Sequence, residues 1–465
     1  FCTLLERDLF LDPFLHINFQ HQHFPSLFKK SKTMLRVASL SAVVLCLLVA
    51  ASAVQVLPRG WVDLFQPPYD SCPSIMMAIS CVSSSSCYIA GGSNGGGFGV
   101  LSFNGQPNGN FSSLYMPDTD MMLLGIGVGG TEAAPVGAVG GFGVGDNVQY
   151  FVNATTLLPS SQPFFFMTQD IRASKDGKSI LVVAQSPITA SSMVLFSTNG
   201  GKNLTNYTIN SLMPNNETEA RYGAIADANT WYVALGNWPS GSSSGSSGAS
   251  MRRKTPRSHV VRNAETGKWR MEHVGGPADG YTCVIAKTTD AGKTWHNVMY
   301  EDTTYYPNGI DCISPTHCVV VGEGFNERAG GHVWLTTDGL TFQQTLHLKD
   351  NSSGQFSLMS VQFNGEQEVW VGGSFATSQT SSVGVFYYSQ DGGLTWTEHG
   401  TINFVAAISD ISFTAEGVGF ATALTIFDDS TILRFDPNGP PQTPSPTWQG
   451  DVTQIQCSDA NCSVN

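Results

Sequence analysis

The sequence predicts an all-β protein built as a single β-propeller, and three observations predict it. Short apolar runs flanked by Gly recur along the chain. A turn residue closes the third strand of each repeat unit, at Asn104, Asn153, Asn199, Asp290, Asp338, Asp391 and Asp436. The composition, with 49 glycines, 13% charged and 11% aromatic residues, fits a turn-rich β chain. Repeats of roughly 40–50 residues holding several short strands indicate propeller blades of four antiparallel strands.

Taken in order, residues 1–33 show no periodic pattern and are expected to be an upstream extension. Lys29, Lys30, Lys32 and Arg36 flank the apolar run 37–50, which ends in the small-residue site Ala51-Ser52-Ala53. Residues 34–53 therefore read as a secretory signal peptide, too short and too rich in small residues for a stable membrane span. Residues 54–465 then form the propeller, a secreted chain with no membrane span after cleavage.

The second strand of each unit is nearly continuous in apolar character, as a strand covered on both faces requires. The seven begin at Tyr88, Val136, Ile180, Trp231, Val319, Val369 and Val418. An insertion at about 239–280 interrupts the fourth unit. It opens with the Ser/Gly tract 241–248, a flexible linker. Beyond the tract, 259–262 and 268–271 form a hairpin or belong to untrimmed intron sequence. Residues 60–64 read as an outer strand and 452–457 as an innermost first strand, so a unit is split between the termini. Strands from both ends would close the ring and remove free sheet edges. The count favours seven blades and leaves eight open.

The turn after the third strand is best formed at Thr288-Thr289-Asp290-Ala291-Gly292-Lys293-Thr294-Trp295. Ser389, Asp391, Gly393, Thr395 and Trp396 repeat it. Thr336, Asp338, Gly339, Thr341 and Phe342 give a version one residue shorter. A worn copy runs from Ser197 to Leu204. In such a turn the Asp accepts turn N–H groups, Gly takes the dihedral that other residues avoid, and the aromatic ring starts the return strand.

This pattern, S/T-x-D-x-G-x-T-W, resembles the Asp-box, or bacterial neuraminidase repeat. The repeats run from about Trp61 to the end of the chain. They are most similar to the photosystem II assembly and stability factor family, and more distantly to sortilin-type receptors, sialidases and xyloglucanases. The resemblance implies the architecture and is nearly silent on function.

Eight cysteines follow the signal segment. Cys81/Cys87, Cys312/Cys318 and Cys457/Cys462 flank short polar turns and are expected to be disulfides in an oxidising compartment. Cys72 and Cys283 form a long-range bridge or remain two free thiols. Sequons at Asn110, Asn153, Asn203, Asn206, Asn216, Asn351 and Asn461 are expected glycosylation sites. Loss of residues 1–53, with five basic and three acidic side chains, takes the net charge from −13 to −15. That charge, with no basic stripe interleaved with aromatics, excludes nucleic acid as a partner. The one basic cluster, 252–270, lies in the insertion.

Several motifs lead nowhere. The run 291–294 ends like a phosphate loop, but Lys287 replaces the leading Gly. G-x-S-x-G at 91–95 and 241–245 lacks the strand-turn-helix setting of a nucleophile elbow. His273, His296, His317, His332, His347 and His399 are scattered, so neither metal nor cofactor is implied. Asp170, Asp311 and Asp410 recur at one phase of the first strand, where Arg172 and Arg221 also lie. These five are the candidate ligand residues at the channel mouth.

Resemblance to sialidases implies an arginine triad, a Tyr/Glu pair and an Asp acid. The F/Y-R-I-P motif is missing, and only Arg172 and Arg221 lie near first strands. Resemblance to the photosystem factor implies a chaperone in a thylakoid lumen, but the targeting segment lacks twin arginines. The expectation is a non-catalytic secreted module that binds a protein or glycan. A secreted glycoside hydrolase is the alternative, and the lumenal factor the weaker one.

Overall fold

The computed structural model describes residues 61–65, 73–93, 98–105, 111–115, 122–142, 148–161, 166–185, 192–209, 219–237, 258–262, 269–273, 282–302, 304–351, 354–378, 381–402, 405–426, 430–437, 455–458 and 461–464. All belong to the unit Pro58–Asn465. The expected extension and signal peptide lie outside the described residues, as do Cys72, Asn110 and Asn216.

Seven antiparallel sheets make seven blades of four strands, the sheet of blade 1 being extended to six by a further hairpin. Their innermost strands are Pro73–Ser83, Met122–Thr131, Met167–Ala173, Glu219–Ile225, Tyr305–Ser314, Gln355–Phe363 and Val405–Phe413, for blades 1 to 7. Each touches the innermost strands of both neighbouring blades, the seventh touching the first, so the ring is closed. Second strands are the most buried layer. Ile180–Gln185 and Gly419–Thr425 are buried at every residue. They lie between an inner and a third strand, with other blades on both faces, which is why their apolar runs do not alternate.

Blade 7 takes its outermost strand from the start of the propeller. Val62–Phe65 pairs antiparallel with Ser430–Phe435, with Val62 opposite Arg434. Residues 60–64 were expected at that position. The second terminal expectation is corrected. Ile455–Ser458 is not an innermost strand, because Val405–Phe413 already fills that place in blade 7. It forms a hairpin with Asn461–Val464, which adds to the outer strand of blade 1, Phe111–Tyr115. An outer strand is the edge that still has unpaired N–H and C=O groups to offer. Seven blades therefore account for the split unit, and the eighth disappears.

Each blade is a meander, so first-to-second and third-to-fourth turns emerge at one end of the ring, here the turn face. Second-to-third and fourth-to-first connections emerge at the other, the loop face. Ser258–Arg262 and Trp269–His273 pair as a separate two-stranded sheet. They fall between the second and third strands of blade 4, Trp231–Asn237 and Thr282–Thr288, and so on the loop-face connection.

On the turn face the Ser/Thr-x-Asp segments share one hydrogen-bond scheme. Thr288 Oγ1 donates to Asp290 Oδ1 (2.8 Å) and accepts from Gly292 N (3.0 Å). Thr294 gives Asp290 its N–H (2.8 Å) and its hydroxyl (2.6 Å). These donors pull the Asp290 carboxyl down to about 2. Trp295 Nε1 closes the turn on Gly292 O (3.1 Å). Ser389, Asp391, Gly393, Thr395 and Trp396 repeat every one of these contacts. The shorter turn keeps the same acceptor: Asp338 receives the N–H groups of Leu340 (2.7 Å) and Thr341 (2.8 Å). Even the worn copy keeps the scheme, with Gly201 N on Ser197 Oγ (3.0 Å) and Asn203 N on Asn199 Oδ1 (3.0 Å). Gly292 has φ 85° and Gly393 φ 99°, the left-handed backbone that such a turn demands.

A cation clamp joins blades on the same face. Lys287 lies opposite Tyr232 in register and 5.1 Å over its ring. Its Nζ reaches into blade 5, donating to Pro315 O (3.0 Å) and Gly339 O (3.0 Å). Arg434 repeats the arrangement in blade 7. It lies opposite Phe420, 5.8 Å over the ring, and donates to Gly105 O of blade 1 (2.7 Å).

Trp61 anchors the closing strand. Its ring stacks on Phe386 of blade 6 at 4.6 Å and 3°, and meets Trp370 edge-on at 5.7 Å. Trp61→Ala is expected to lower unfolding free energy by about 3–5 kcal/mol, the usual loss for a buried aromatic. Denaturant unfolding of the two proteins checks this. A loss under about 1 kcal/mol would show that closure does not depend on this side chain.

Candidate functional site

The innermost strands line the channel, and all seven carry a register slip at the same place. It falls between Met76 and Ala78, Leu123 and Gly125, Thr168 and Asp170, Ala220 and Tyr222, Pro307 and Gly309, Leu358 and Ser360, and Ile408 and Asp410. The bulged residues are Met77, Leu124, Gln169, Arg221, Asn308, Met359 and Ser409. A bulge turns its extra residue out of the ladder and re-aims the side chain. Met77, Leu124, Gln169, Met359 and Ser409 are partly exposed between buried neighbours on both sides. Arg221 is also partly exposed. Asn308 is buried, its Nδ2 donating to Glu323 Oε1 (2.9 Å). Each bulge lies within the first five residues of its strand, near the loop-face mouth.

Beneath this ring the charged residues tie blade to blade. An innermost strand has a ladder partner on one edge alone, so N–H groups on its other edge need acceptors. The neighbouring blade supplies them. Gly223 N donates to Asp170 Oδ2 (2.9 Å), Phe363 N to Asp311 Oδ2 (2.8 Å) and Ile79 N to Asp410 Oδ2 (3.0 Å). Ser80 serves Val128 N (3.0 Å) and Ser360 serves Ile411 N (3.1 Å) in the same way. Ser360 Oγ also donates to Asp410 Oδ1 (3.1 Å).

The three acids were expected at one strand phase. Asp170 and Asp410 directly follow their bulges, but Asp311 lies three residues past Asn308, level with Arg172. The offset is two residues, so Asp311 keeps the same face of its strand. Arg172 Nε pairs with Asp170 Oδ2 (3.0 Å). Burial acts to lower the Arg172 pKa, but the carboxylates of Asp170, Asp410 and Asp311 outweigh it and hold the guanidinium above its ordinary range. Burial pushes Asp311 up to about 6 against the Phe363 N–H and Arg172, and raises Asp410 as well. Arg221 donates to the amide oxygen of Gln169 (3.0 Å). Glu323, fully buried on a second strand, accepts from Ser357 of blade 6 (3.0 Å). Neither Glu323 nor the bulge ring was singled out by sequence.

Near the loop face of blade 5, His332 stacks on His347 at 4.1 Å. Its Nε2 meets Arg328 O (2.6 Å), which can only accept, so Nε2 carries the proton. Nδ1 lies 2.9 Å from the amide oxygen Oε1 of Gln344. Burial pushes this imidazole down to about 4. Among the described residues, no group of three or more His, Cys, Asp and Glu could hold a metal ion, and no helix is long and apolar enough to cross a membrane.

Cys81–Cys87 and Cys312–Cys318 are disulfides across turn-face hairpins. Cys457 stands opposite Cys462 in register, but their side chains lie outside the described residues. Cys283 is a buried free thiol, which removes the long-range bridge from the alternatives. Asn153, Asn203 and Asn351 are exposed, whereas Asn206 is half-buried.

No family model matches the sequence, and no curated protein matches it. Among solved structures the chain is similar to the WD40 β-propeller domain of Doa1, with 8% identity, a TM-score of 0.50, and coverage of 82% of this chain and 98% of that one. It is similar to YCF48 bound to D1 peptide at 12% identity and TM-score 0.48, covering 81% and 97%. A subtype N11 neuraminidase-like protein of A/flat-faced bat/Peru has 10% identity and TM-score 0.40, covering 82% and 94%. At such identities the likeness is one of fold alone.

Two titrations are expected. A carboxyl raised in the fold contributes stability below its unfolded value of 3.8 that is lost as pH rises through about 6. Asp311→Asn keeps an oxygen for Phe363 N, so it should stabilise the protein by up to ~3 kcal/mol at pH 7.5 and have no effect near pH 4. His332, depressed from 6.5, acts in the opposite direction. Its contribution is complete above that pH and is lost as pH falls to about 4. His332→Gln should remove ~3 kcal/mol of that acid-induced loss. Urea midpoints at four pH values for each variant check both slopes.

Proposed function

We propose that this chain is a non-catalytic Asp-box propeller of the secretory pathway that binds a protein or glycan. The observation that carries the reading is the use made of the channel charges. Asp170, Asp311 and Asp410 hold backbone N–H groups of the next blade, and Arg172 is paired with Asp170. A sialic-acid carboxylate site needs three converging arginines. Among the described residues two arginines, Arg172 and Arg221, stand on innermost strands. The four box turns lie on the turn face, where their side chains are consumed within the turn, which supports a scaffold role for them.

Two hairpin disulfides point to an oxidising, secretory-type compartment. The signal segment 34–53, the sequons and a third disulfide at Cys457/Cys462 belong to the same proposal. The ligand surface is proposed at the loop face and the channel mouth beneath it, with Arg221 and Arg172 as its cationic groups. The paired strands Ser258–Arg262 and Trp269–His273 belong to a connection on that face.

The test is made on the full chain secreted from a eukaryotic host. It is incubated with fluorogenic sialosides and β-glucosides, and in parallel applied to glycan and peptide arrays. Saturable array binding with no turnover above a heat-inactivated blank is expected. Turnover that is lost in Arg172→Gln would overturn the reading in favour of a hydrolase.

A further inference from the structure

The carbonyl carbon of an Asn or Asp side chain is open to attack by the backbone nitrogen of the next residue. The attack is easiest before Gly, which puts no side chain in the way and takes the dihedrals required. A glycine N–H that already donates a hydrogen bond is held back from it. Seven such Asx-Gly steps lie among the described residues, and six are guarded. Gly177 donates to Ser174 O (2.8 Å), Gly200 to Lys178 O (2.9 Å), Gly339 to Thr336 Oγ1 (2.8 Å) and Gly392 to Gln367 O (2.8 Å). Asn308 is buried, with its amide given to Glu323. Gly105, after Asn104, is buried so close to Ser84 O that no Cβ would fit, and Arg434 holds its carbonyl.

The seventh step, Asn364–Gly365, is open. It starts the turn between Gln355–Phe363 and Val369–Ser378 of blade 6. Gly365 is exposed at φ 90°, and nothing stands within 4 Å of where its Cβ would be. Among the described residues its N–H has no hydrogen-bond partner.

We propose that Asn364 is a site of spontaneous conversion to aspartate and isoaspartate. The Gly365 nitrogen, on losing its proton to hydroxide, attacks Cγ of Asn364. The bond from Cγ to Nδ2 breaks, Nδ2 takes a proton from water and leaves as ammonia, and a succinimide ring remains. Water then opens the ring. Addition at Cγ restores the peptide and gives aspartate, and addition at the backbone carbon gives isoaspartate. Water enters and ammonia leaves, with nothing oxidised or reduced.

The place of the new charge gives the conversion a consequence. Asn364 Nδ2 donates to Glu368 Oε2 (3.1 Å), and Glu368 Oε1 accepts from Trp370 Nε1. Conversion removes that donor and sets a second carboxylate beside Glu368. Trp370 meets Trp61 edge-on and stacks on Tyr388, so the disturbance reaches the aromatic cluster of ring closure.

The test incubates the full secreted chain at pH 8.5 in oxygen-18 water. Digestion in ordinary water follows, so that label marks earlier conversions alone, and mass spectrometry maps the peptides. The Asn364 peptide should take up label at least about fivefold faster than those of Asn104, Asn199 and Asn308, the rate equivalent of one hydrogen bond. In urea that lead should vanish. Label entering another of these residues first, a lead that persists in urea, or labelling of the unfolded chain alone would overturn the proposal. Asn364→Asp, which carries the product's charge, should take up no label there. Its urea midpoint should fall below the parent's at pH 7.5 and rejoin it near pH 3, where both carboxyls are protonated. An unchanged midpoint at pH 7.5 would overturn the link to Trp370.

Discussion

The constraint on which this propeller depends is the bare edge of its innermost strands. A strand facing a channel has a ladder partner on one side, and the N–H groups on the other side are left without acceptors. The chain answers with side chains from the preceding blade. Asp170, Asp311, Asp410, Ser80 and Ser360 each accept such an N–H across a blade boundary. A charge-assisted bond of this kind is worth more than a neutral one, and leaving the N–H unmet would cost about 1–3 kcal/mol. Burial of the acids is thus tolerated because each does the work of a missing strand. Where blade 2 meets blade 3 the solution differs. A Cβ at Gly125 would stand 2.6 Å from Ile171 N, so the two backbones approach directly and no reaching side chain fits between them.

Ring closure concentrates these devices at one junction. Between blades 7 and 1, Asp410 and Ser412 accept from Ile79 and Cys81, Ser430 accepts from Met76, and Arg434 reaches Gly105. The chain is not continuous in sequence across that boundary, so side chains replace the covalent link that joins other blades. The paired strand Val62–Phe65 and the Trp61 ring add the rest. The clamp of Arg434 over Phe420 has its counterpart in Lys287 over Tyr232, two cations that bury their stems against an aromatic ring and give their charge to the next blade's turn.

Local features were legible and relational ones were not. The second strands, the turn anchors and the seven-blade count followed from periodicity, because burial on both faces leaves a mark on every residue of a strand. The box turns were legible because their hydrogen bonds lie within eight residues. The acids were noticed on the right strands, but Asp311 lies two residues further past its bulge than Asp170 and Asp410 do, on the same face of its strand. A bulge inserts one residue without changing composition, so Asn308 could not be told from its neighbours. Ile79, one partner of Asp410, lies 331 residues away, and no spacing encodes that contact. The terminal hairpin at Ile455–Ser458 was misplaced for a related reason. Its sequence suits any strand, and its position is decided by which edge is still open.

The bulge is also what sets one residue of each innermost strand apart. One inserted residue per strand has two effects. It slips the register, so that the following position leans toward the next blade, where Asp170 and Asp410 make their staples. It also takes the inserted residue out of the ladder. The bulged residues differ in type and in burial: Met77, Leu124, Gln169, Arg221, Met359 and Ser409 are partly exposed, whereas Asn308 is buried and bonded to Glu323. Structural constraint and chemical variety are separated by a single residue step. A ring of varied side chains near the loop-face mouth is therefore a consequence of how the blades are held together.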